Sequence, residues 1–557
     1  MDFNGKHILV LGLGETGLSM ARHLVAQGAT VRVADTRAEP PGLKALVEAI
    51  PGVEVACGPL QEPLLAGVDG VAVSPGVPIS GPLADPLVSA ALARGLPFMG
   101  DIELFALALA QEHAATGYSP KILAVTGTNG KTTVTALTAL LARKAGKRVT
   151  AAGNISPAAL DAWRDAKAGA TLFEQSAGQL PPRLPTQLPE IWVLELSSYQ
   201  LETTSSLKPS AAAMLNLSED HLDRHGSLAE YAKAKARIFM NGGIQVLNRD
   251  DAASMAMQRR FDAKKKKDVA PVVMSFGLSA PQSPAEYGLV RDMRTDGVTW
   301  LAEGAAVSGG SEAAAVPNRL MPLELLKIKG LHNAANALAA LALNRAIGLP
   351  LAPMLKALRD YRGEAHRVQA VATVNQIEYI DDSKGTNVGA TLAALNGLGS
   401  GLRAPGRIVL IAGGEGKGQN FAPLAAAVRA ACRAVVLIGR DAPRLREALA
   451  QSGVELMDAA SLEAAVPMAA RSAQAGDIVL LSPACASFDM FRHYAHRAGV
   501  FVDAVRALGG GPGLAQGAAP ESAAAGEPDH SAAAAPAPRD DAAPATHPIS
   551  PSGAANV

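Results

Sequence analysis

The chain is predicted to be an α/β protein of three domains in series: an N-terminal Rossmann-like unit, a central parallel sheet carrying a phosphate loop, and a C-terminal Rossmann-like unit. Its 557 residues exceed what one hydrophobic core organises. Short apolar runs of strand length alternate with helix-like stretches in three separate blocks, the pattern of crossover-connected parallel sheets. Within the second block, LAVTGTNGKTTV at 123–134 passes from an apolar strand through a glycine-containing loop into a helix start.

The first block, 1–101, contains the strand candidates HILVLGLG, ATVRVAD and VDGVAVSPG, with the helix TGLSMARHLVAQG between the first two. The second, 102–363, contains KILAVTG, KRVTAAGN, EIWVLELSS, SAAAMLNLS and GGIQVLN. Between about 250 and 325 the alternation weakens, and the stretches Pro281 to Pro284 and Gly304 to Gly310 read as loop and edge-hairpin material. The third block, 364–509, contains IEYIDDS, RIVLIAGG, AVVLIG and DIVLLSPA. Residues 510–557 are Ala, Pro and Gly with scattered charges. Too few large apolar side chains remain there to offset chain entropy, so a disordered tail is expected.

Lys plus Arg and Asp plus Glu are equal in number, and the formal net charge is zero. A bulk nucleic-acid or anionic-membrane surface is therefore not expected, and the basic run Lys264–Lys267 reads as a solvated loop. Cys57, Cys432 and Cys485 are scattered without CxxC spacing, so neither a zinc site nor a disulfide framework is indicated. The start MDFNGKHILVLGLG lacks a signal-peptide pattern, and no apolar run reaches membrane-spanning length. A cytoplasmic protein is the expectation.

Chemistry begins at the loop. Gly127, Thr128, Asn129 and Gly130 leave room for backbone N–H groups to face a polyphosphate, and the following helix adds its positive end. Lys131 would neutralise outer phosphates, Thr132 would offer a hydroxyl to Mg²⁺, and Thr133 continues the helix. Gly12, Gly14 and Gly17 form GxGxxG after the first strand, and Asp35 ends the next. That arrangement suits a nucleotide diphosphate or a dinucleotide, with Asp35 on a ribose hydroxyl, but also a plain strand-to-helix turn. Glu195 in VLELSSYQLE ends a buried strand, the position a Mg²⁺-binding carboxylate needs beside Thr132. His221 sits in an acidic turn, and Lys233 and Lys235 follow on a helix. Taken alone these three read as structural or solvated groups. In the last block Arg367, Lys384 and Lys417 are cations in a region with little other charge. Facing one cleft, they would suit an acidic small substrate and a developing anion.

In their order along residues 5–508, GTNGKTT, LELSSYQLE, NLSEDHLDRH, AKARIF, GLHNAANALAALAL, DDSKGTN, GGEGKG and LSPACASFDMF resemble the Mur ligase family. DSKGTN and SPACASFDMF resemble its D-glutamate-adding branch. The resemblance implies a UDP-substrate site at Gly14, Glu15, Thr16, Asp35, Thr36, Gly76 and Asn154. It implies ATP on 127–133, with Asn333, Asn336, Arg367 and Asp382 contacting adenine and phosphate across a domain boundary. One Mg²⁺ would sit on Thr132 and Glu195. A second would sit near His221 and a carbamylated lysine, and the AKARIF match selects Lys235 over Lys233. Lys384, Thr386, Lys417, Ser487 and Tyr494 resemble a D-glutamate pocket, with Lys131, His221, Lys235 and Lys384 as the catalytic set. The stretches 157–190 and 255–320 and the tail are longer than the family pattern and read as surface insertions.

The implied activity joins D-glutamate to UDP-N-acetylmuramoyl-L-alanine at the expense of ATP, through an acyl phosphate, in peptidoglycan precursor synthesis. A monomer that closes its last domain about a hinge near Gly363 to Arg367 is expected. Two alternatives stand beside it: a folylpolyglutamate-synthase type of amide ligase, and a non-catalytic Rossmann nucleotide-binding protein. The GLGETG turn with Asp35 disfavours the first, because folate ligases begin at the ATP domain.

Overall fold

The computed structural model describes residues 2–176, 188–259, 270–292, 297–305, 316–399 and 402–509. The expected tail, the Lys264–Lys267 run and parts of both expected insertions lie outside these residues. Three sheets of five, nine and six strands follow one another along the chain, which is the α/β architecture the alternating pattern predicts.

The first sheet contains β1 (His7–Leu11), β2 (Thr30–Asp35), β3 (Glu54–Cys57), β4 (Gly70–Val73) and β5 (Phe98–Met99), ordered β3-β2-β1-β4-β5. All its pairings are parallel. Successive residues Ile8, Leu9, Val10 and Leu11 are all buried, because helices cover both faces and the strand cannot alternate in polarity. The order reverses between β1 and β4, where ligands gather in open α/β sheets. There the turn after β1 meets the loop after β4, and Ser74 Oγ donates to Gly12 O at 2.9 Å. Gly17 is obligatory: a Cβ on it would lie 1.9 Å from Gly12 O.

The second sheet contains β6 (Lys121–Thr126), β7 (Val149–Gly153), β8 (Ile191–Glu195), β9 (Ala211–Met214), β10 (Ile244–Asn248), β11 (Val273–Phe276), β12 (Glu286–Arg291), β13 (Thr299–Glu303) and β14 (Asn318–Pro322). It runs β14-β13-β12-β11-β10-β9-β6-β8-β7. β6 is central, parallel to β8 and β9, in a register that sets Val125 opposite Glu195. The stretch read as loop and hairpin material carries β11, which continues the parallel sheet, and an antiparallel edge of β12, β13 and β14. The helix Leu331–Ala346 packs beside Lys131–Lys144, the two joined by Asn344 Nδ2 donating to Thr138 O at 3.2 Å.

The third sheet contains β15 (Gln369–Val374), β16 (Ile377–Asp381), β17 (Ile408–Gly413), β18 (Cys432–Ile438), β19 (Glu455–Asp458) and β20 (Ile478–Leu481), ordered β15-β16-β20-β17-β18-β19. Only β15 is antiparallel to its neighbour. It joins β16 through Asn375 and Gln376, both at positive φ (51° and 61°), the conformation a tight hairpin requires.

Candidate functional site

The loop after β6 is shaped by two glycines. Gly127 has φ +155° and Gly130 φ +85°, and added Cβ atoms would lie 2.9 Å from Leu215 Cβ and 2.6 Å from Asn336 Oδ1. The segment after β9 holds the cradle from below. Thr128 N donates to Asn216 O and Asn129 N to Asn216 Oδ1, both at 2.9 Å. Lys131 Nζ folds back onto Gly127 O (2.9 Å) and Thr128 O (2.8 Å). Burial lowers its pKa.

Glu195 ends β8 and is 2% exposed. Its Oε1 accepts from Asn154 Nδ2 at 2.9 Å, while Oε2 is buried without a partner among the described residues. An orphaned carboxylate oxygen at that depth is costly. Its chemistry fits a hard divalent cation, which prefers oxygen ligands.

Lys235 is 1% exposed, donates to Gly127 O at 2.9 Å, and sits 4.6 Å from the Tyr231 ring centroid. Burial first, and then the neighbouring Lys131 charge, hold its pKa well below the ordinary lysine value. Lys233 instead points to solvent and pairs with Glu230 at 3.4 Å. His221 adopts φ +55°, exchanges a 2.7 Å hydrogen bond between Nδ1 and Tyr199 OH, and is kept neutral by burial despite adjacent Asp220. Among the described residues no group of three His, Cys, Asp or Glu side chains forms a metal cluster.

The three C-terminal cations converge on this loop. Arg367 donates to Thr132 Oγ1 at 2.9 Å, and Lys417 Nζ lies 3.9 Å from Asp220 Oδ1. The charges of Arg367 and Lys384 both reach Lys131 and lower its pKa further. Lys384 Nζ is 3.3 Å from Tyr494 OH and 4.8 Å from its ring centroid. Thr386 follows in the same loop, its N donating to Lys384 O at 2.9 Å, and Ser487 is buried in the loop after β20.

Three site residues were not singled out from sequence. Asp220 is buried, and although burial raises its pKa, His221, Lys417 and Lys131 together hold it below the usual value. Asn387 exchanges two amide hydrogen bonds with Asn129 (3.2 and 3.0 Å). Arg497 is fully buried and ties the two C-terminal loops together through Ser383 O (2.7 Å), Ser383 Oγ (3.0 Å) and Cys485 O (3.1 Å). Asp220 and Asn387 stand inside the recognised motifs NLSEDHLDRH and DDSKGTN, which gave the signal. Arg497 had none, being one arginine on an ordinary helix.

Beside the loop lies a cavity of about 500 Å³ between the second and third sheets. Its lining includes Asn333, Asn336, Arg367 and Asp382 together with Gly130 and Thr133. Asp382 accepts from Ser482 Oγ at 2.7 Å, and burial pushes its carboxyl up to about 7. Phe276 and Leu278, from the stretch where the alternation weakens, also face the cavity.

At the first sheet, Gly14 precedes the helix that begins at Glu15, Thr16 is buried, and Gly76 leaves open space where a side chain would be. Asp35 is held by its neighbours: its Oδ2 accepts from Leu13 N (2.7 Å), and Arg37 grips both oxygens at 2.9 and 2.8 Å. The adjacent Thr36 is exposed. Asn154 lies with Glu195 rather than at the first sheet, but its loop reaches across, Ser156 Oγ lying 3.3 Å from Glu15 Oε1.

Comparison with known proteins matches this architecture block by block. Residues 6–100 match the Mur ligase MurD-like N-terminal domain, 125–344 the Mur ligase middle domain, and 366–485 the Mur ligase glutamate ligase domain. The chain belongs to the Mur ligase family. A Mur ligase relative from Ralstonia nicotianae, UDP-N-acetylmuramoylalanine–D-glutamate ligase, is 53% identical over 523 residues, spanning 91% of this chain and 98% of that one. The protein of the same name from Burkholderia mallei is 52% identical over 516 residues, spanning 89% and 96%. Among solved Mur ligases, the UDP-N-acetylmuramate-alanine ligase MurC of Thermotoga maritima aligns with TM-score 0.52 at 20% identity, over 90% of this chain and 99% of that one. That likeness concerns the fold.

Proposed function

We propose that the protein is an ATP-dependent ligase that adds D-glutamate to UDP-N-acetylmuramoyl-L-alanine in the cytoplasmic synthesis of peptidoglycan precursors. The observation that carries this is the convergence of Arg367, Lys384 and Lys417, all from the third domain, on the phosphate loop of the second and on Asp220 beside it. The relatives of that name, matched over nearly their whole length, supply the substrate.

ATP would lie with its phosphates over Gly127–Thr133 and its base in the cavity lined by Asn333 and Asn336. Lys131 and Arg367 would screen the repulsion between the substrate carboxylate and the triphosphate, the main barrier to phosphoryl transfer. Mg²⁺, held by Thr132 and Glu195 and in a second site by His221 and carbamylated Lys235, would supply further charge neutralisation. Tyr199, bonded to His221 Nδ1, would leave Nε2, which lies 3.5 Å from Asp220 Oδ2, for the second ion. Asn154 steadies Glu195 from its other oxygen. Lys384 and Lys417 would hold the amino acid's carboxylates and support the oxyanion when the amine attacks the acyl phosphate.

The test is phosphate release from Mg·ATP with UDP-N-acetylmuramoyl-L-alanine and D-glutamate, L-glutamate or no amino acid. Release that needs both the UDP substrate and D-glutamate is expected. Release indifferent to both would refute the reading and turn attention to a folate acceptor.

A further inference from the structure

The amino acid must arrive as an ammonium and attack as an amine, so ligation needs a proton acceptor close to Lys384 and Tyr494. Resting on the ligase reading above, we propose that His366, oriented by Asp381, is the general base that removes this proton. Four observations support the assignment.

His366 Nδ1 lies 2.7 Å from Asp381 Oδ2, and Asp381 is fully buried at the end of β16. The second Asp381 oxygen accepts from Ser383 N at 2.8 Å, which fixes the carboxylate plane. A carboxylate accepting there pairs with the tautomer that carries hydrogen on Nδ1 and has its lone pair on Nε2, the division of labour in an acid–histidine pair. Unlike its partner, the His366 side chain is 28% exposed, so it is open to a ligand. It also stands in the right place. Lys384 N donates to His366 O at 3.2 Å, the imidazole meets the Tyr494 ring edge-on at 6.2 Å, and the next residue, Arg367, touches Thr132 of the phosphate loop. Finally, the backbone is held in a form the chain does not adopt freely: His366 has φ +62° and β-branched Val368 φ +46°. Such strain is retained where the surroundings over-determine it, commonly at functional sites.

In the proposed step the ammonium gives one proton to Nε2, and the imidazolium is stabilised by Asp381. The freed nitrogen lone pair forms the C–N bond at the acyl carbon. The C–O bond to phosphate then breaks with its electron pair on phosphate oxygen. The second nitrogen proton leaves with the phosphate, and His366 returns its proton to solvent. Among the described residues, Asp381 at the end of β16 and Tyr494 of the last helix meet the imidazole itself, while Lys384 bonds the His366 backbone, Asp382 bonds Val368 N and Arg367 is the next residue.

Hydroxylamine, largely unprotonated at neutral pH, attacks acyl phosphates without a base and provides the control. The variant is His366→Asn, since asparagine tolerates the left-handed backbone. With Mg·ATP and UDP-N-acetylmuramoyl-L-alanine, it is expected to form hydroxamate at nearly the wild-type rate but to lose roughly 10²–10⁴-fold in D-glutamate-dependent phosphate release, the usual worth of a general base. The deficit should shrink at alkaline pH, and Asp381→Asn should show the same split more weakly. Equal loss in both assays would make His366 a structural residue and overturn the assignment, as would undiminished D-glutamate turnover. Absence of hydroxamate with the wild type would instead remove the acyl-phosphate reading, and this assignment with it.

Discussion

Asp382→Asn should change the pH dependence of folding in a direction set by burial. The Asp382 carboxyl is pushed from 3.8 up to about 7 in the folded protein, so the native state holds its proton more tightly than the unfolded chain does. Below pH 3.8 both states are protonated and no penalty exists. As pH rises toward 7 the unfolded chain ionises while the folded one does not, and stability falls. A shift of about three pH units, at about 1.4 kcal/mol each, amounts to roughly 4 kcal/mol once pH exceeds the folded value. Roughly 1.5 kcal/mol of this is developed at pH 5, so the asparagine variant should gain roughly 2–3 kcal/mol on wild type between pH 5 and pH 8. Any fixed cost of exchanging an acceptor for a donor beside Ser482 or Val368 N cancels in that difference. Trp163, Trp192 and Trp300 all belong to the central block, so fluorescence does not report on the third sheet. Denaturant-dependent hydrogen exchange in peptides covering β16 and β20 does. Equal wild-type-to-variant differences at the two pH values would refute the buried-carboxyl argument.

Three other substitutions probe the site. Gly130→Ala places a methyl 2.6 Å from Asn336 Oδ1 at φ +85°, and the left-handed backbone alone costs about 1–2 kcal/mol, so nucleotide affinity measured by calorimetry should fall by about five- to thirtyfold. Glu195→Gln keeps the bond to Asn154 but removes the charge at the orphaned oxygen. The Mg²⁺ concentration for half-maximal turnover should rise, with nucleotide binding in the absence of metal unchanged. Arg497→Met strips hydrogen bonds from Ser383, Cys485 and Ala486, and buried carbonyls left unpaired cost about 1–3 kcal/mol each. Thermal unfolding should show a strongly destabilised third domain.

The readable parts of the chain were those where local chemistry is its own evidence. β1, β6 and β17 are continuous apolar runs closed by glycine, and each leads into a loop with an identifiable task. β3 and β19, with burial patterns that leave their ends exposed, carry no such run, since an edge strand needs only one partner. β12 to β14 fall in the stretch read as edge-hairpin material, but their bounds were not legible for a related reason: an antiparallel edge is stabilised by cross-strand pairing more than by an apolar stripe. At the site, Lys235 could be chosen over Lys233 only by resemblance, because two lysines two residues apart on a helix carry no local mark of burial. Asp35 shows what spacing omits: its position after β2 is that of a ribose-binding acid, and the pattern did not include Arg37, two residues on, which bonds both its oxygens. Convergence of Arg367, Lys384 and Lys417 is a property of how two domains meet, and one-dimensional spacing does not contain it.

The paired amides Asn129 and Asn387 bear on turnover. The two side chains trade donor for acceptor across the domain boundary, and neither carries a charge. When the domains separate, each amide recovers equivalent bonds from water, so the net loss is only about 0.5–1.5 kcal/mol per bond. Had a carboxylate and a guanidinium met there, opening would strand ions or demand their full rehydration. The amide pair therefore aligns the two domains through uncharged, self-complementary bonds, and leaves the charge that crosses the boundary here to Lys417 and Asp220, 3.9 Å apart.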